Sequence, residues 1–179
     1  MKTIQKVSLF LVAWGLPAGA AAWRLAAGGG LLGGFVPGGA FGWQFTGQWT
    51  RSGYAGQRWL LEADVGQYAT EAGPDAWLER GRATSLLAFW ERRTPFSYAF
   101  RPWLGIGGGV SRYQIDERQL LNGQGYVIAS PPSIVENDAD LAVTMTVPLA
   151  RSWSVAITAQ TGFPSRISTV SMTVLWRLF

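Results

Sequence analysis

Glu136, Asp138 and Asp140 form a carboxylate cluster of the kind that can hold calcium through oxygen ligands. The plainer reading is a solvated loop end, stiffened nearby by Pro131-Pro132. A second pair of carboxylates, Glu62 and Asp64, stands two residues apart, so on a strand both point to one face. Gly28-Gly29-Gly30-Leu31-Leu32-Gly33 matches a G-x-G-x-x-G pattern. A dinucleotide site needs a helix next, and Phe35-Val36-Pro37-Gly38-Gly39 is turn chemistry instead. Those glycines read better as a strand easing past bulky neighbours. The chain has no histidine and no cysteine. The commonest general base at neutral pH, the commonest zinc ligand, thiolate sites and disulfides are therefore excluded. No G-x-S-x-G, Walker or EF-hand sequence is present. We expect no catalytic residue, no cofactor and no metal centre.

The elements that position these groups begin after residue 20. Met1 to Ala22 reads as a secretory signal peptide. Lys2 and Lys6 form a positive start, Val7 to Leu16 an apolar stretch, and Pro17 a break before Ala18-Gly19-Ala20. Cleavage is placed after Ala20, with Ala22 as the alternative. This gives a signal peptide over 1–20 and one domain over 21–179. Lys2 and Lys6 are the only lysines, so the mature charge rests on 13 arginines against 11 acidic residues. A balance of +2 implies no nucleic acid partner. No later segment is long and apolar enough for a membrane helix. An exported chain of this kind is a soluble periplasmic protein or a β-barrel.

Period-2 alternation decides the fold class. Phe41, Trp43, Phe45 and Trp49 alternate with Gly42, Gln44, Thr46 and Gln48. Leu141, Val143, Met145, Val147 and Leu149 alternate with Ala142, Thr144 and Thr146, and period-2 alternation recurs around 57–68, 152–162 and 167–179. Eight strands follow: 22–32, 40–50, 57–68, 82–92, 101–113, 139–149, 152–162 and 167–179. Each is near the length of about 9–11 residues that a tilted membrane strand needs. The connections 69–81 and 114–138 are long, and the others are short. The expected fold is all-β: a closed antiparallel transmembrane up-and-down β-barrel of about eight strands, with short periplasmic turns and long outer loops.

The polar faces carry mostly Ser, Thr, Gln, Gly and Ala, which suits a crowded interior better than a solvated surface. The apolar faces then meet lipid. Arg24, Glu62, Asp64 and Arg177 fall on inward faces, and the first and last strands adjoin across the closure. Buried charges persist only when paired. An interior ion-pair network of these four residues is expected, and amide replacement of Glu62 and Asp64 should destabilise it. Strand 82–92 stays unassigned, because Trp90 opposes Leu87 and Phe89 in parity. In 101–113, Leu104, Ile106 and Val110 are taken to face lipid, leaving Gly105, Gly107, Gly109 and Ser111 as interior space opposite the charges.

Trp23, Trp49, Trp59, Trp90, Trp103, Trp153 and Trp176 all fall near one predicted rim. Indole favours the headgroup level, so these seven are expected to form an interfacial girdle. Arg92-Arg93 and Arg101 bracket a turn at that rim. They read as flanking residues that keep the turn out of the bilayer, with anionic headgroups as the alternative contact.

Arg101-Pro102-Trp103-Leu104-Gly105-Ile106-Gly107-Gly108-Gly109-Val110-Ser111-Arg112-Tyr113 resembles the Pro-aromatic, glycine-alternating strand of the small eight-stranded outer-membrane barrels. These are the transmembrane domain of outer-membrane protein A, the outer-membrane protein X and Ail type, and the outer-membrane protein W type. Terminal Phe179 is similar to the C-terminal aromatic read by the barrel-assembly machinery. Arg177 departs from that signal's usual phase, with Leu178, Trp176 and Val174 one residue out. The resemblance implies a bacterial outer-membrane location. It also implies outer-membrane lipid, lipopolysaccharide and the assembly machinery as partners. A bridge from Glu136, Asp138 and Asp140 to lipopolysaccharide through divalent ions is only the alternative to the solvated loop end given above. Some barrels of this size are lipid A deacylases or palmitoyltransferases. Those use a histidine, so none of their catalytic residues carries over. The expected role is structural or adhesin-like and non-enzymatic. A narrow channel for small or apolar solutes is the alternative, and a histidine-free lipid-modifying enzyme the third reading. The ligand of 114–138 and the oligomeric state stay open.

Overall fold

The computed structural model describes residues 23–34, 40–70, 77–95, 101–121, 124, 126–130, 132–165 and 167–178. The signal-peptide segment and Phe179 lie outside them, as does the side chain of Trp23. Nine strands are present among the described residues: β1 (Trp23–Gly34), β2 (Ala40–Ser52), β3 (Gln57–Thr70), β4 (Trp77–Arg93), β5 (Trp103–Leu121), β6 (Val127–Ala129), β7 (Ile134–Pro148), β8 (Trp153–Phe163) and β9 (Ser168–Arg177). Eight are staves of one closed antiparallel barrel. The three-residue β6 only pairs with the far end of β5. Closure is made by β1 against β9, and every stave has two partners. No sheet edge is left to lipid, which cannot satisfy a free N–H or C=O.

Register fixes the stagger. The line of paired residues Arg24, Thr50, Leu60, Phe89, Gly107, Ala142, Gln160 and Thr169 returns to β1 at Gly34, ten residues beyond its start. Eight strands with that stagger tilt by about 40° to the barrel axis. Lateral neighbours therefore climb steadily around the wall. The end where β1 starts and β9 stops is called the terminal end below, and the opposite one the loop end.

The alternation sorts as its chemistry demands. Gln44, Thr46, Gln48, Thr144, Thr146, Thr158, Ser171 and Thr173 are buried in the lumen. Phe41, Phe45, Val65, Ile106, Val110, Leu141, Val143 and Val174 are exposed around the outside. A continuous apolar band of this kind has no place in water. On β5, Leu104, Ile106 and Val110 face outward and Ser111 and Tyr113 inward. On β4, Leu87 and Phe89 point inward and are fully buried, while Leu86 and Trp90 point outward. Leu60, Leu87, Phe89 and Ala142 pack together as an apolar layer inside the lumen.

Three strands outrun their expected limits. β4 starts at Trp77 rather than 82, β5 ends at Leu121 rather than 113, and β7 begins at Ile134 rather than 139. The expected long loops 69–81 and 114–138 are thus largely ladder: Trp77 pairs with Leu120, and Ile115 with Ile134. There the alternation of the sequence fades while backbone pairing continues. A register shift at Arg80/Gly81 marks this part of β4.

Candidate functional site: the barrel lumen

Three polar groups are stacked along the lumen. In the middle, Glu62 accepts from Gln48 Nε2 at 2.5 Å and from Thr158 Oγ1 at 3.2 Å. Asp64 accepts from Thr46 Oγ1 at 2.6 Å, Ser85 Oγ at 2.9 Å and Gln44 Nε2 at 3.4 Å. Gln44 also donates to Thr173 Oγ1 at 3.1 Å, tying β2 to β9 across the interior. These side chains come from β2, β3, β4, β8 and β9, so one network clamps most of the wall.

Toward the loop end, Ser111 Oγ donates to Asp140 and Ser165 Oγ to Asp138. Gln160 Nε2 donates to Tyr113 Oη at 3.2 Å and to Ser111 Oγ at 3.4 Å. Asp138 also accepts from Ser165 N at 3.1 Å, which fastens the turn between β8 and β9. A Cβ at residue 162 would strike the Asp138 carboxyl, so glycine is required there. Asp138 and Asp140 are therefore buried inward groups, not solvated loop carboxylates as the sequence suggested. Glu136 has the same strand parity and is half-buried. No group of three or more metal-ligating side chains gathers among the described residues.

Toward the terminal end, Arg58 Nε donates to Glu91 Oε2 at 2.5 Å, and Thr146 Oγ1 donates to Glu91 Oε1 at 3.2 Å. Glu91 is fully buried, with Arg58 15% exposed. The Arg58 guanidinium lies 4.3 Å from the Trp103 ring centroid, and that of Arg93 5.9 Å from it.

The expected four-residue ion-pair network does not form. Arg24 and Arg177 do lie within electrostatic reach of each other, yet neither pairs with Glu62 or Asp64. Stagger is the reason. Glu62, Gln48, Ala26 and Arg177 share one register line, so three strand spacings, about 14 Å of wall, lie between the two charges. The tilt lifts Glu62 well above the rim that holds Arg177. Neutral amides and hydroxyls satisfy both carboxyls instead. The buried pair that does exist, Arg58 with Glu91, was missed in the sequence. Its signal was present: Arg58 shares parity with Leu60, Glu62 and Asp64, and Glu91 with Leu87 and Phe89.

Trp49, Trp59, Trp90, Trp153 and Trp176 sit on outward positions at the terminal end. Trp153 and Trp176 stack at 5.6 Å, and Trp59 and Trp90 are register neighbours. Trp103 departs from the expected girdle. It takes an inward position and stacks under Arg58.

Two solved structures share this architecture. Neisserial surface protein A matches with a TM-score of 0.58 at 12% identity, over 89% of this chain and 98% of that one. Ail, the attachment invasion locus protein of Yersinia pestis, solved with the heparin analogue sucrose octasulfate, matches with a TM-score of 0.52 at 8% identity, over 87% and 97%. The fold is that of the small eight-stranded outer-membrane β-barrels. No protein-family description matches the chain, and no curated protein is similar to it in sequence. At these identities the likeness carries the fold alone. Like other barrels of this width, this one has a lumen filled by side chains. The cavity beside Asp64, Ser111 and Gln160 holds about 20 Å³, room for roughly one water.

Proposed function

We propose that this chain is an integral protein of the bacterial outer membrane with a structural or surface-interaction role and no catalytic activity. The observation that carries the reading is an exposed apolar band around a filled, hydrogen-bonded lumen. The terminal end then faces the periplasm, and the loop end, where β4, β5 and β7 outrun the lipid, faces outward. A signal peptide over 1–20 and the terminal Phe179 fit delivery to the assembly machinery, and lipopolysaccharide would surround the outer half. Adhesion would use the loop end. The sucrose octasulfate of the Ail structure is not carried over to this chain, whose loop end pairs Arg82 with Asp116 and adds Glu136.

Conduction is disfavoured by the buried side chains that fill the lumen, among them the apolar cluster of Leu60, Leu87, Phe89 and Ala142. Catalysis is disfavoured by access. The hydroxyls of Thr46, Ser85 and Ser111 face carboxylates in a space too small for a lipid. The test is a heat-modifiability gel on isolated outer membranes. A band that shifts on boiling is the expected result. Recovery in the soluble periplasm without a shift would overturn the reading.

A further inference from the structure

Among the described residues, the terminal mouth of the lumen carries more positive charge than its own acid balances. Arg24, Arg58, Arg93 and Arg177 all hold inward positions there, on β1, β3, β4 and β9. Glu91 is the one carboxylate beside them among the described residues, and Arg58 takes it. Arg24, Arg93 and Arg177 make no ion pair among the described residues. The charges of Arg24 and Arg58 both act on Arg177, and β1, which carries Arg24, pairs Ala26 with Arg177 two residues further on. Like charges gathered this closely repel unless a counter-charge joins them.

A second observation is independent of charge counting. Nη2 of Arg58 is buried and has no hydrogen-bond partner. The same guanidinium is fixed by Glu91 on one side and by the Trp103 ring on its face. A buried donor left unpaired costs free energy that a bound acceptor would recover. The remaining lumen carboxylates, Glu62, Asp64, Asp138 and Asp140, lie in the middle and toward the loop end. Among the described residues the lumen is thus polarised, with these carboxylates away from its terminal mouth.

We propose that this mouth binds a phosphate group, held by Arg24, Arg58 and Arg177. Guanidiniums arriving from three strands suit a tetrahedral anion with several acceptor oxygens better than a two-oxygen carboxylate. Arg24 and Arg177 are exposed, so the approach is open. Two sources share this chemistry: free inorganic phosphate, and the headgroup of an anionic phospholipid at the level of Trp59, Trp153 and Trp176.

The test uses the purified full-length barrel in non-ionic detergent and an Arg24→Gln/Arg177→Gln double variant. That variant keeps the Arg58–Glu91 pair, so it retains the fold. Inorganic phosphate, against chloride at equal ionic strength, should raise the unfolding temperature of the wild type. The double variant should need about a hundredfold more phosphate, roughly tenfold for each lost charged hydrogen bond. In a second arm, bound lipids are counted by native mass spectrometry after transfer from phosphatidylglycerol or phosphatidylcholine nanodiscs. Phosphatidylglycerol retained by the wild type and lost by the variant assigns the headgroup. A response to inorganic phosphate alone assigns the free ion. If neither probe separates wild type from variant, the proposal is overturned. A heat-modifiable barrel that ignores phosphate would leave the membrane reading intact.

Discussion

A Cβ on Gly105 of β5 would stand 2.7 Å from Cγ of Glu91 on β4, and 2.9 Å from Cγ2 of Thr144. Glycine is therefore what lets the Glu91 side chain cross to Arg58. Gly105→Ala should destabilise the barrel by about 1–3 kcal/mol, the usual cost of overpacking. The same change in a Glu91→Ala background should cost distinctly less. A double-mutant cycle on unfolding temperature checks this, and additive effects would contradict the contact.

The Arg58–Glu91 pair itself is buried and hydrogen-bonded. Removing one partner strands a charge. Arg58→Met should lower stability by about 3 kcal/mol or more. The combined Arg58→Met/Glu91→Leu variant should recover much of that loss, because no unpaired charge remains. Denaturant titration of the barrel in detergent measures both.

Glu62 and Asp64 behave differently, since their partners are neutral. Glu62→Gln can still accept from Gln48 and can donate to Thr158. We expect a change below about 1 kcal/mol for either amide variant, contrary to the ion-pair expectation from sequence. Asp64→Leu should cost about 1–3 kcal/mol, because Thr46, Ser85 and Gln44 each lose an acceptor. The same thermal assay separates these two outcomes.

The outward face should resist charge. Val110→Arg and Val143→Arg place a cation in the apolar band, at a cost of about 2–4 kcal/mol near mid-membrane. Both sites are exposed, so a barrel in water would tolerate them. Folding yield into lipid vesicles reads the difference, and normal folding of both variants would count against a lipid-facing band.

The sequence by itself determined the all-β class, the eight staves and the sense of the faces. It did so because the period of two is imposed locally, residue by residue, wherever lipid and lumen lie on opposite sides. Phe41 to Trp49 and Leu141 to Val147 announce this without any partner strand. The same local rule failed in two places. At 77–81 and 114–121 the sequence loses its alternation while ladder pairing persists. On β4, Leu87 and Phe89 are apolar on the inside because they fill a layer with Leu60 and Ala142, a contact between strands that no single strand reveals.

Only the tertiary structure decided which charges meet. Parity put Arg24, Glu62, Asp64 and Arg177 all inward, but parity is silent on height along the axis. Height depends on the ten-residue stagger, set jointly by all eight pairings. That stagger keeps Arg177 at the rim, away from Glu62 and Asp64, whereas Arg58 meets Glu91 as its direct register partner on the neighbouring strand β4. Register between neighbouring strands chooses the partners of Arg58, Glu62 and Asp64, and closure adds the height that holds Arg177 apart from them, because only the complete circuit fixes how far each strand has climbed.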